Sequence, residues 1–308
     1  MRNIACKELV SLFNKRKFTF LTGDLGFQAL EPLREAMGSH FINAGVAEQN
    51  MVTVAAGLTR AGFQAWVYSI APFLFARAFE QIRNDVCLNG APVKLIGNGG
   101  GYAYGSMGST HHAIEDCGVM LALKDMRVYV PAFNEDIPPV IEKMSASPFP
   151  EYLRLGKSEK PKDYTPPPYA PWRKLTGGGA NGVVLLAVGP LAGALLGQIA
   201  STGAGELCQL WALSELPGLD DPGAEEFAAS VAERKKLVVV EEHVAQGGAG
   251  QMIALWLKRK AIMTSVFEHR HALGYPSGLY GSQTFHRKEC GLDPASVVSL
   301  IKSILAGK

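Results

Sequence analysis

Short apolar segments alternate with helical segments along almost the whole chain, and this alternation constrains the fold more than any other feature. The apolar runs have the length of strands, and the segments between them place apolar residues at helical spacing. Strands are predicted at 18–22, 41–43, 64–69, 93–96, 127–130, 152–155, 183–188, 206–211, 236–241 and 262–267. Helices are predicted at 3–17, 28–38, 51–60, 71–84, 113–122, 134–145, 190–201, 224–232, 248–258 and 295–305. Such alternation predicts an α/β fold in which mainly parallel sheets are flanked by helices on both faces.

A polar, proline-rich segment interrupts the alternation near the middle of the chain. It runs over residues 156–173, where proline fixes φ and removes backbone donors, so we expect a semi-rigid linker. The 308 residues suffice for about two domains of roughly 150 residues each. We therefore predict a first domain at 1–157, a linker at 158–175 and a second domain at 176–308.

Composition and charge argue against several classes of protein. Charged residues make up 19% of the chain and the formal net charge is +2, which gives no reason to expect a nucleic acid or an anionic membrane as partner. No apolar run reaches the length of about 18 residues that a membrane helix needs. The five cysteines are scattered without a Cys-x-x-Cys pair, which fits free thiols in a reducing cytoplasm. The first residues lack the apolar core of a signal peptide, so we expect a cytoplasmic location.

One acidic residue lies where a predicted strand gives way to a predicted helix. The stretch at 41–51 reads Phe-Ile-Asn-Ala-Gly-Val-Ala-Glu-Gln-Asn-Met, and its single carboxylate, Glu48, has no charged neighbour in the stretch. A buried carboxyl group without a charged neighbour can hold or pass a proton near neutrality. Acids are also common at helix N-termini, so a chemical role and a capping role both stay open from this stretch alone.

Two turns follow predicted strands at the edge where open α/β sheets bind ligands. The first is Gly-Asp-Leu-Gly at 23–26, and the second is a glycine-rich loop at 97–112 that ends in His111 and His112. A loop of this length inside a compact domain is more often functional than idle.

Four segments together resemble the C-terminal half of transketolase, in particular the split transketolases encoded as two chains. They are the acid segment at 45–51, an aromatic segment at 69–83, the histidine loop at 108–116 and Glu-Glu-His-Val-Ala-Gln-Gly-Gly-Ala-Gly at 241–250. They occur in the family's order, and the resemblance covers nearly the whole chain. It implies a pyrimidine-binding domain followed by a transketolase C-terminal domain, in an enzyme that uses thiamine diphosphate.

The resemblance implies roles for residues near the cofactor. Glu48 matches the family's acid, a buried carboxyl group on the pyrimidine N1′ that helps the cofactor lose a proton from its thiazolium carbon. Phe73 matches the aromatic residue that stacks on the pyrimidine, whereas Phe75 and Phe79 are expected to pack in the core. Asp24 matches a position near the cofactor, and a turn-forming role explains this residue equally well.

The resemblance also implies substrate-binding residues. His111 matches a histidine that contacts substrate oxygens and assists proton transfer. Arg154 matches an arginine that binds the anionic end of the substrate through its bidentate fork, and Arg2 matches a second anion-contacting arginine. His112 stands where the family usually has glutamine, and its role is left open.

Three departures from the family pattern concern the sugar-phosphate pocket. An acid pair is replaced by Ser106-Met107, a phosphate-contacting histidine aligns with Gly99, and an expected serine is missing from residues 26–28. Methionine is a much weaker hydrogen-bond acceptor than the aspartate that it replaces. We therefore expect a more open, partly apolar site and a substrate other than an ordinary pentose phosphate, such as a nucleotide-linked or deoxy sugar or an acyl group on a carrier.

The segments that would bind the cofactor's diphosphate are missing as well. Thiamine enzymes hold Mg²⁺ and the diphosphate through Gly-Asp-Gly and a later Asn-Asn, and this chain has neither. No metal ligand is therefore predicted here. The resemblance implies a partner chain that carries the diphosphate-binding domain and the Mg²⁺, in an α2β2 assembly with active sites between subunits.

These features predict one subunit of a two-component transketolase-like transferase, which moves a two-carbon ketol unit from a ketose donor to an aldehyde-like acceptor. Two alternatives stay open. One is a decarboxylating thiamine enzyme, similar to the deoxyxylulose-phosphate synthases or to the β subunit of a 2-oxo acid dehydrogenase. The other is a catalytically degenerate subunit that only supports its partner.

Overall fold

The computed structural model describes residues 1–307, in which helices and strands alternate as the sequence predicts. The helices are α1 (Arg2–Lys15), α2 (Glu31–Met37), α3 (Glu48–Arg60), α4 (Ala71–Phe75), α5 (Phe79–Gln81), α6 (Asp116–Leu121), α7 (Ile137–Ala146), α8 (Leu191–Thr202), α9 (Pro222–Arg234), α10 (Ala249–Arg259), α11 (Gln283–Glu289) and α12 (Pro294–Leu305). The strands are β1 (Thr19–Thr22), β2 (Phe41–Asn43), β3 (Ala65–Ile70), β4 (Lys94–Asn98), β5 (Arg127–Tyr129), β6 (Glu151–Leu155), β7 (Trp172–Lys174), β8 (Val183–Val188), β9 (Cys208–Leu213), β10 (Glu215–Leu216), β11 (Lys236–Val240) and β12 (Val266–Arg270).

Across the described residues the strands form one sheet of seven strands and one of five. The first has the order β10-β5-β6-β4-β3-β1-β2 and the second the order β12-β11-β8-β9-β7. Every strand pair is parallel except β10 with β5 and β7 with β9. The central strands β8 and β9 are buried along their whole length because helices cover both faces of a parallel sheet. The predicted α/β fold with mainly parallel sheets is confirmed.

A hydrophobic cluster joins the two sheets into one packed body. It contains Leu74 and Val128 of the first unit together with Trp211 and Phe227 of the second, and all four are buried. Two further clusters fill the outer layers of each unit. The two units therefore share part of their core.

Two short strands lie outside the predicted set. The strand β7 falls inside the predicted linker at 158–175 and pairs with β9. The strand β10 leaves the second unit and pairs with β5 at the edge of the first sheet, where Leu216 lies opposite Val128. Strands of two or three residues are too short to show a period in the sequence. The division at 158–175 stays a prediction, because this crossing strand ties the two units together.

The predicted helix at 71–84 is interrupted after α4 and continues as α5 and a π-helical turn, Ile82–Cys87. Pro72 lies in the first turn of α4, where its missing N–H breaks no hydrogen bond. The Arg77 N–H donates to the Pro72 carbonyl at 3.3 Å, one residue further back than in a regular α-helix. This wide turn separates α4 from α5, a break that the helical pattern alone does not predict.

The lengths of the helices bear on membrane insertion, and the burial of the cysteines bears on thiol chemistry. Within residues 1–307, no helix combines the length and the hydropathy that crossing a bilayer requires. The five cysteines are free thiols and all are buried. Burial raises the pKa of the Cys87 thiol to about 12, with a smaller contribution from Asp125, which makes this thiol a poor nucleophile.

Candidate active site

Glu48 lies at the junction between β2 and α3. The turn before it contains Gly45, whose φ of +69° is a conformation that glycine adopts without strain. Glu48 is the first residue of α3 and is only 2% exposed. Its carboxylate accepts a hydrogen bond at 2.7 Å from Nη1 of Arg77, in a different segment of the chain. The side chain is thus buried and engaged away from its own helix.

Arg77 is a charged neighbour that the sequence around Glu48 does not reveal. Besides contacting Glu48, its guanidinium carbon lies 4.4 Å from the ring centroid of Phe73, which is a cation–π contact. Phe73 and Arg77 are four residues apart, so helical spacing alone could have paired these two. The pairing with Glu48 joins positions 29 residues apart and has no sequence signal. The stretch around Glu48 contains no charged neighbour in sequence, and the fold supplies one from another segment.

His111 extends this group of contacts towards the glycine-rich loop. Its ring lies 5.1 Å from the Phe73 ring in an edge-on arrangement and 5.7 Å from the Tyr104 ring. The hydroxyl of Thr110 lies 2.9 Å from Nδ1 of His111 and fixes the orientation of the imidazole. The fold thus brings Glu48, Phe73 and His111 into one continuous series of contacts, although each comes from a different loop or helix.

His112, whose role the sequence left open, is buried and hydrogen-bonded within the protein. It is 3% exposed, its Nε2 donates to the carbonyl of Gly105 at 2.8 Å, and its Nδ1 accepts from the Tyr275 hydroxyl at 2.9 Å. This pattern requires the neutral imidazole, and burial, the main cause, lowers the pKa of His112. The ring also packs against His286 of α11. His112 therefore anchors the glycine-rich loop to the second unit.

Asp24 lies at the mouth of a cavity between the ends of β1 and β2. The cavity has a volume of about 360 Å³, and the exposed side chains of Asp24 and Phe27 line it. Asn43 Nδ2 donates to Oδ1 of Asp24 at 3.1 Å, and Asn43 Oδ1 accepts from the Gly45 N–H at 2.9 Å. Asp24 is therefore linked through Asn43 to the turn that leads into Glu48. Both a turn-forming and a ligand-facing role fit this position.

Arg154 is held by several contacts within the protein. It lies on the buried strand β6 and is 6% exposed. Its Nε lies 3.2 Å from Oδ2 of Asp116, and its Nη2 donates to the carbonyls of Ala113 and Glu242 at 2.7 and 2.8 Å. These contacts hold the side chain in the protein interior, and a role for Arg154 in binding the anionic end of the substrate stays a prediction. Because Arg154 is flanked by leucines on a buried strand, the sequence alone does not distinguish a structural arginine from an anion-binding one.

Arg2 lies beside a second, smaller cavity near the glycine-rich loop. This cavity has a volume of about 180 Å³ and is lined by Arg2, Lys157, Asn98 and Tyr104. Asn98 Nδ2 donates to the Tyr104 hydroxyl at 2.9 Å. A Cβ atom on Gly99 would overlap the Tyr104 ring. The Tyr104 ring fills the space that a side chain at position 99 would need, and the expectation of a more open site stays a prediction.

The glycine-rich loop packs closely on the second unit. A Cβ atom on Gly101 would lie 2.6 Å from the Glu242 side chain, and one on Gly105 would lie 3.1 Å from the carbonyl of Gly281. Glu242 accepts from the Tyr102 N–H at 2.8 Å and from Nη2 of Arg287 at 2.7 Å. Burial alone would raise the pKa of Glu242, but the Arg287 guanidinium together with hydrogen bonds from Gln283 and the Tyr102 N–H outweighs it and holds this pKa below its ordinary value. The glycines of this loop thus allow close packing against the second unit, in addition to any role in the candidate site.

Glu241 and His243, in the segment at 241–250, both make hydrogen bonds within the protein. Glu241 accepts from the N–H groups of Ala249 and Gly250, both at 2.9 Å, at the start of α10. His243 Nε2 accepts from the Gly118 N–H at 3.0 Å, which connects the second unit to α6 of the first. These contacts give both residues a part in holding the fold together.

Comparison with known sequences matches the first unit to a family and the whole chain to relatives. The profile described as "Transketolase, pyrimidine binding domain" matches residues 15–162. One of the subunits of the apulose-4-phosphate transketolase of Actinobacillus succinogenes is 30% identical over 89% of this chain and 88% of its own length. The 1-deoxy-D-xylulose-5-phosphate synthase 2 of Geobacter sulfurreducens is 31% identical over 92% of this chain, which spans only 44% of the synthase.

Solved structures show the same relationship. A split-gene transketolase described as an inactive β4 tetramer superposes with a TM-score of 0.82 and 27% identity, over 99% of this chain and 98% of that one. The transketolase of Leishmania mexicana has a TM-score of 0.79 over 99% of this chain and 45% of its own, and its 16% identity shows the fold alone. By the matched domain, the nearly full-length relative and the shared architecture, this chain belongs to the transketolase family, as a counterpart of the family's C-terminal half.

Proposed function

We propose that this chain is one subunit of a two-component, thiamine-diphosphate-dependent transferase that moves a two-carbon ketol unit from a ketose to an aldehyde-like acceptor. The observation that carries the proposal is the series of contacts from the buried Glu48 through Arg77 and Phe73 to His111. A buried carboxylate, an aromatic ring and an imidazole that such a series connects are the groups that this enzyme would need from this half of its site.

The residues present fit one end of the cofactor and not the other. Glu48 offers a buried carboxylate, and Phe73 offers a half-buried ring beside it, which suits a planar, nitrogen-rich heterocycle. Within residues 1–307, no group of three or more His, Cys, Asp or Glu side chains is placed to hold a metal ion. We therefore assign the pyrimidine end to this chain, and the diphosphate with its Mg²⁺ to a partner subunit in an α2β2 assembly. The description of one solved relative as an inactive β4 tetramer supports the need for a partner.

The bound cofactor would supply a stabilised carbanion, and the residues of this chain would prepare and serve it. Glu48 would hold a proton at the pyrimidine ring, and Phe73 would fix the plane of that ring. His111, held by Thr110, would donate a hydrogen bond to a substrate oxygen and move a proton there. Asp24 stays a candidate for contact with the cofactor, and Arg2 for contact with an anionic end of the substrate.

The substrate proposal rests on the cavity around Arg2. Two cationic side chains, Arg2 and Lys157, line it, while the Tyr104 ring takes the space above Gly99. Ser106 and Met107 offer no carboxylate at the position where the family has an acid pair. We propose an acceptor that differs from an ordinary pentose phosphate near its hydroxyl groups, such as a deoxy or nucleotide-linked sugar.

The test is a reconstitution with a partner chain that carries the Gly-Asp-Gly and Asn-Asn segments. A panel of ketose donors and aldehyde acceptors would be compared with xylulose 5-phosphate and ribose 5-phosphate. Full activity on that standard pair would overturn the proposal on the substrate and leave the proposal on the reaction class intact.

Glu48→Gln distinguishes the enzyme from a supporting subunit. We expect turnover to fall by about 10²–10⁴-fold, the usual contribution of a positioned acid or base. Size-exclusion chromatography should show the assembly retained, and Glu80→Gln, which removes an exposed carboxylate, serves as the control. Unchanged turnover in Glu48→Gln would favour the supporting role.

A decarboxylating reaction is the second candidate, because the chain is 31% identical to a deoxyxylulose-phosphate synthase over 92% of its length. Pyruvate and glyceraldehyde 3-phosphate would then be the substrates to supply. Release of carbon dioxide from labelled pyruvate by the reconstituted pair would favour this reaction over ketol transfer.

A further inference from the structure

Arg77 makes the two contacts that the proposed function reserves for the pyrimidine ring. Its Nη1 donates to Oε2 of Glu48 at 2.7 Å, and its guanidinium carbon lies 4.4 Å from the centroid of the Phe73 ring. Glu48 is 2% exposed, whereas 43% of the Arg77 side chain is exposed. The arginine therefore reaches from solvent into the position where a planar heterocycle would meet both groups.

A guanidinium and an aminopyrimidine share the chemistry that these contacts need. Both are planar, both present N–H donors to a carboxylate, and both interact well with the face of an aromatic ring. One oxygen of Glu48 and one region of the Phe73 ring cannot serve both groups fully at the same time. One group must move aside when the other binds.

A buried carboxylate without a partner is an uncompensated charge, which is costly. Glu48 therefore needs a partner even when no cofactor is bound. Arg77 supplies that partner from a half-exposed position. Within residues 1–307 its side chain makes no hydrogen bond besides the one to Glu48, so turning back into water costs that bond and the contact with the Phe73 ring. The neighbouring wide turn between Pro72 and Arg77 places the side chain at the edge of the site.

We propose that Arg77 is a positioning residue that occupies the pyrimidine position in the cofactor-free chain and leaves it when the cofactor binds. This inference rests on the proposed function, since it takes thiamine diphosphate as the ligand. A contact that is present only before binding opposes binding, so its removal should tighten the complex.

The test uses the chain reconstituted with its partner, Mg²⁺ and thiamine diphosphate, with affinity measured by isothermal titration calorimetry. Arg77→Met keeps side-chain length and removes the charge and the donors. We expect its dissociation constant for thiamine diphosphate to fall by at least about threefold, a size in keeping with a half-exposed ion pair. Arg83→Met, an exposed arginine of the same segment whose Nη1 donates to Asn84, is the matched control and should not change the affinity.

A second readout needs no cofactor. In the isolated chain, Arg77→Met and Glu48→Gln should each lower the midpoint of thermal unfolding, and the double variant should lower it by less than the sum. In the Glu48→Gln background, Arg77→Met should have a smaller effect on cofactor affinity than in the wild type, because the ion pair, one of the two competing contacts, is already lost.

Weaker or unchanged thiamine diphosphate binding by Arg77→Met would overturn the inference, and weaker binding would indicate that Arg77 stays on Glu48 beside the bound cofactor. If the wild-type pair bound no thiamine diphosphate at all, the proposed function itself would fall, and the inference with it. The wild-type titration separates these two failures.

Discussion

At the scale of single residues, Gly99 and Tyr104 define the shape of the site next to His111. Gly99 has a φ of +82°, and a Cβ atom there would overlap the Tyr104 ring. The Tyr104 ring in turn lies 5.7 Å from the His111 ring. A glycine at this position thus leaves room for an aromatic ring that both lines the cavity of Arg2 and lies beside the imidazole.

Gly99→Ala should lower the free energy of unfolding for two reasons, an unfavourable φ and an overlap with Tyr104. Gly62→Ala is the matched control, because Gly62 has a φ of +88° and nothing within 4 Å of the added atom. We expect the Gly99 variant to lose about 1–3 kcal/mol more than the Gly62 variant, the usual cost of overpacking. In a Tyr104→Ala background, chemical denaturation should show this difference vanish. A difference that persists would place the cost in the backbone instead.

At the scale of elements, the helix α11 connects the second unit to the glycine-rich loop. Its Arg287 donates to Glu242, and Glu242 in turn accepts from the Tyr102 N–H within the loop. Gln283, on the same helix, donates to Glu242 at 3.0 Å. The orientation of the loop that carries His111 thus depends on a short helix more than 170 residues away along the chain.

Arg287→Met should be strongly destabilising because it leaves the Glu242 carboxylate buried without its cation. The expected loss is about 3–5 kcal/mol in urea unfolding at pH 7. Since the pKa of Glu242 is held below its ordinary value, the stability that the pair contributes is present above that value and is lost as the pH falls through the lowered pKa. Lys288→Met, an exposed neighbour, is the control and should change little. A loss below about 1 kcal/mol would show that Glu242 finds other partners.

The sequence predicts the long elements well because they bury a regular apolar face. The strand at 183–188 has the bounds that the apolar run predicts, and the helix at 294–305 begins one residue earlier than predicted. The helix α11 is missed because its seven residues, Gln-Thr-Phe-His-Arg-Lys-Glu, are mostly polar, and it is held by the Glu242 contacts and not by a hydrophobic stripe.

Within the candidate site, the sequence predicts residues that short motifs mark, but not the contacts that form between distant segments. Glu48, Phe73 and His111 are found together because short motifs mark them. The ion pair of Arg77 with Glu48 and the burial of Arg154 depend on which segments the fold brings together, and no local pattern carries that information. Long-range polar partners are therefore what the sequence alone leaves undetermined.

At the scale of the whole molecule, a group of imidazole and phenol rings lies between the two units. It includes His112 and Tyr102 from the glycine-rich loop, and Tyr275 and His286 from the second unit. Both imidazoles are buried. Burial is the main cause that lowers the pKa of His112 and of His286 below the ordinary value of 6.5.

The stability of the chain should consequently fall in mild acid. A lowered pKa means that the unfolded chain binds more protons, so the free energy of unfolding is fully retained above pH 6.5 and decreases as the pH falls below it. Each buried histidine can contribute at most about 1.4 kcal/mol per pH unit to this slope. Urea unfolding between pH 7.5 and about 5.5 measures it, and His286→Gln should reduce the slope. A flat profile in the wild-type chain would contradict this.

The strand β10 has a consequence for how such proteins can be recombined. This strand follows the linker in the chain and so belongs to the second unit, but it pairs within the first sheet. The boundary between the units in the sequence therefore differs from the boundary between the two sheets. A chimera joined within 158–175 would present the edge of β5 with a foreign strand, and an isolated first half would leave that edge open to intermolecular pairing. Exchange of C-terminal units between relatives should therefore preserve the pairing of Glu215 and Leu216 with Tyr129 and Val128.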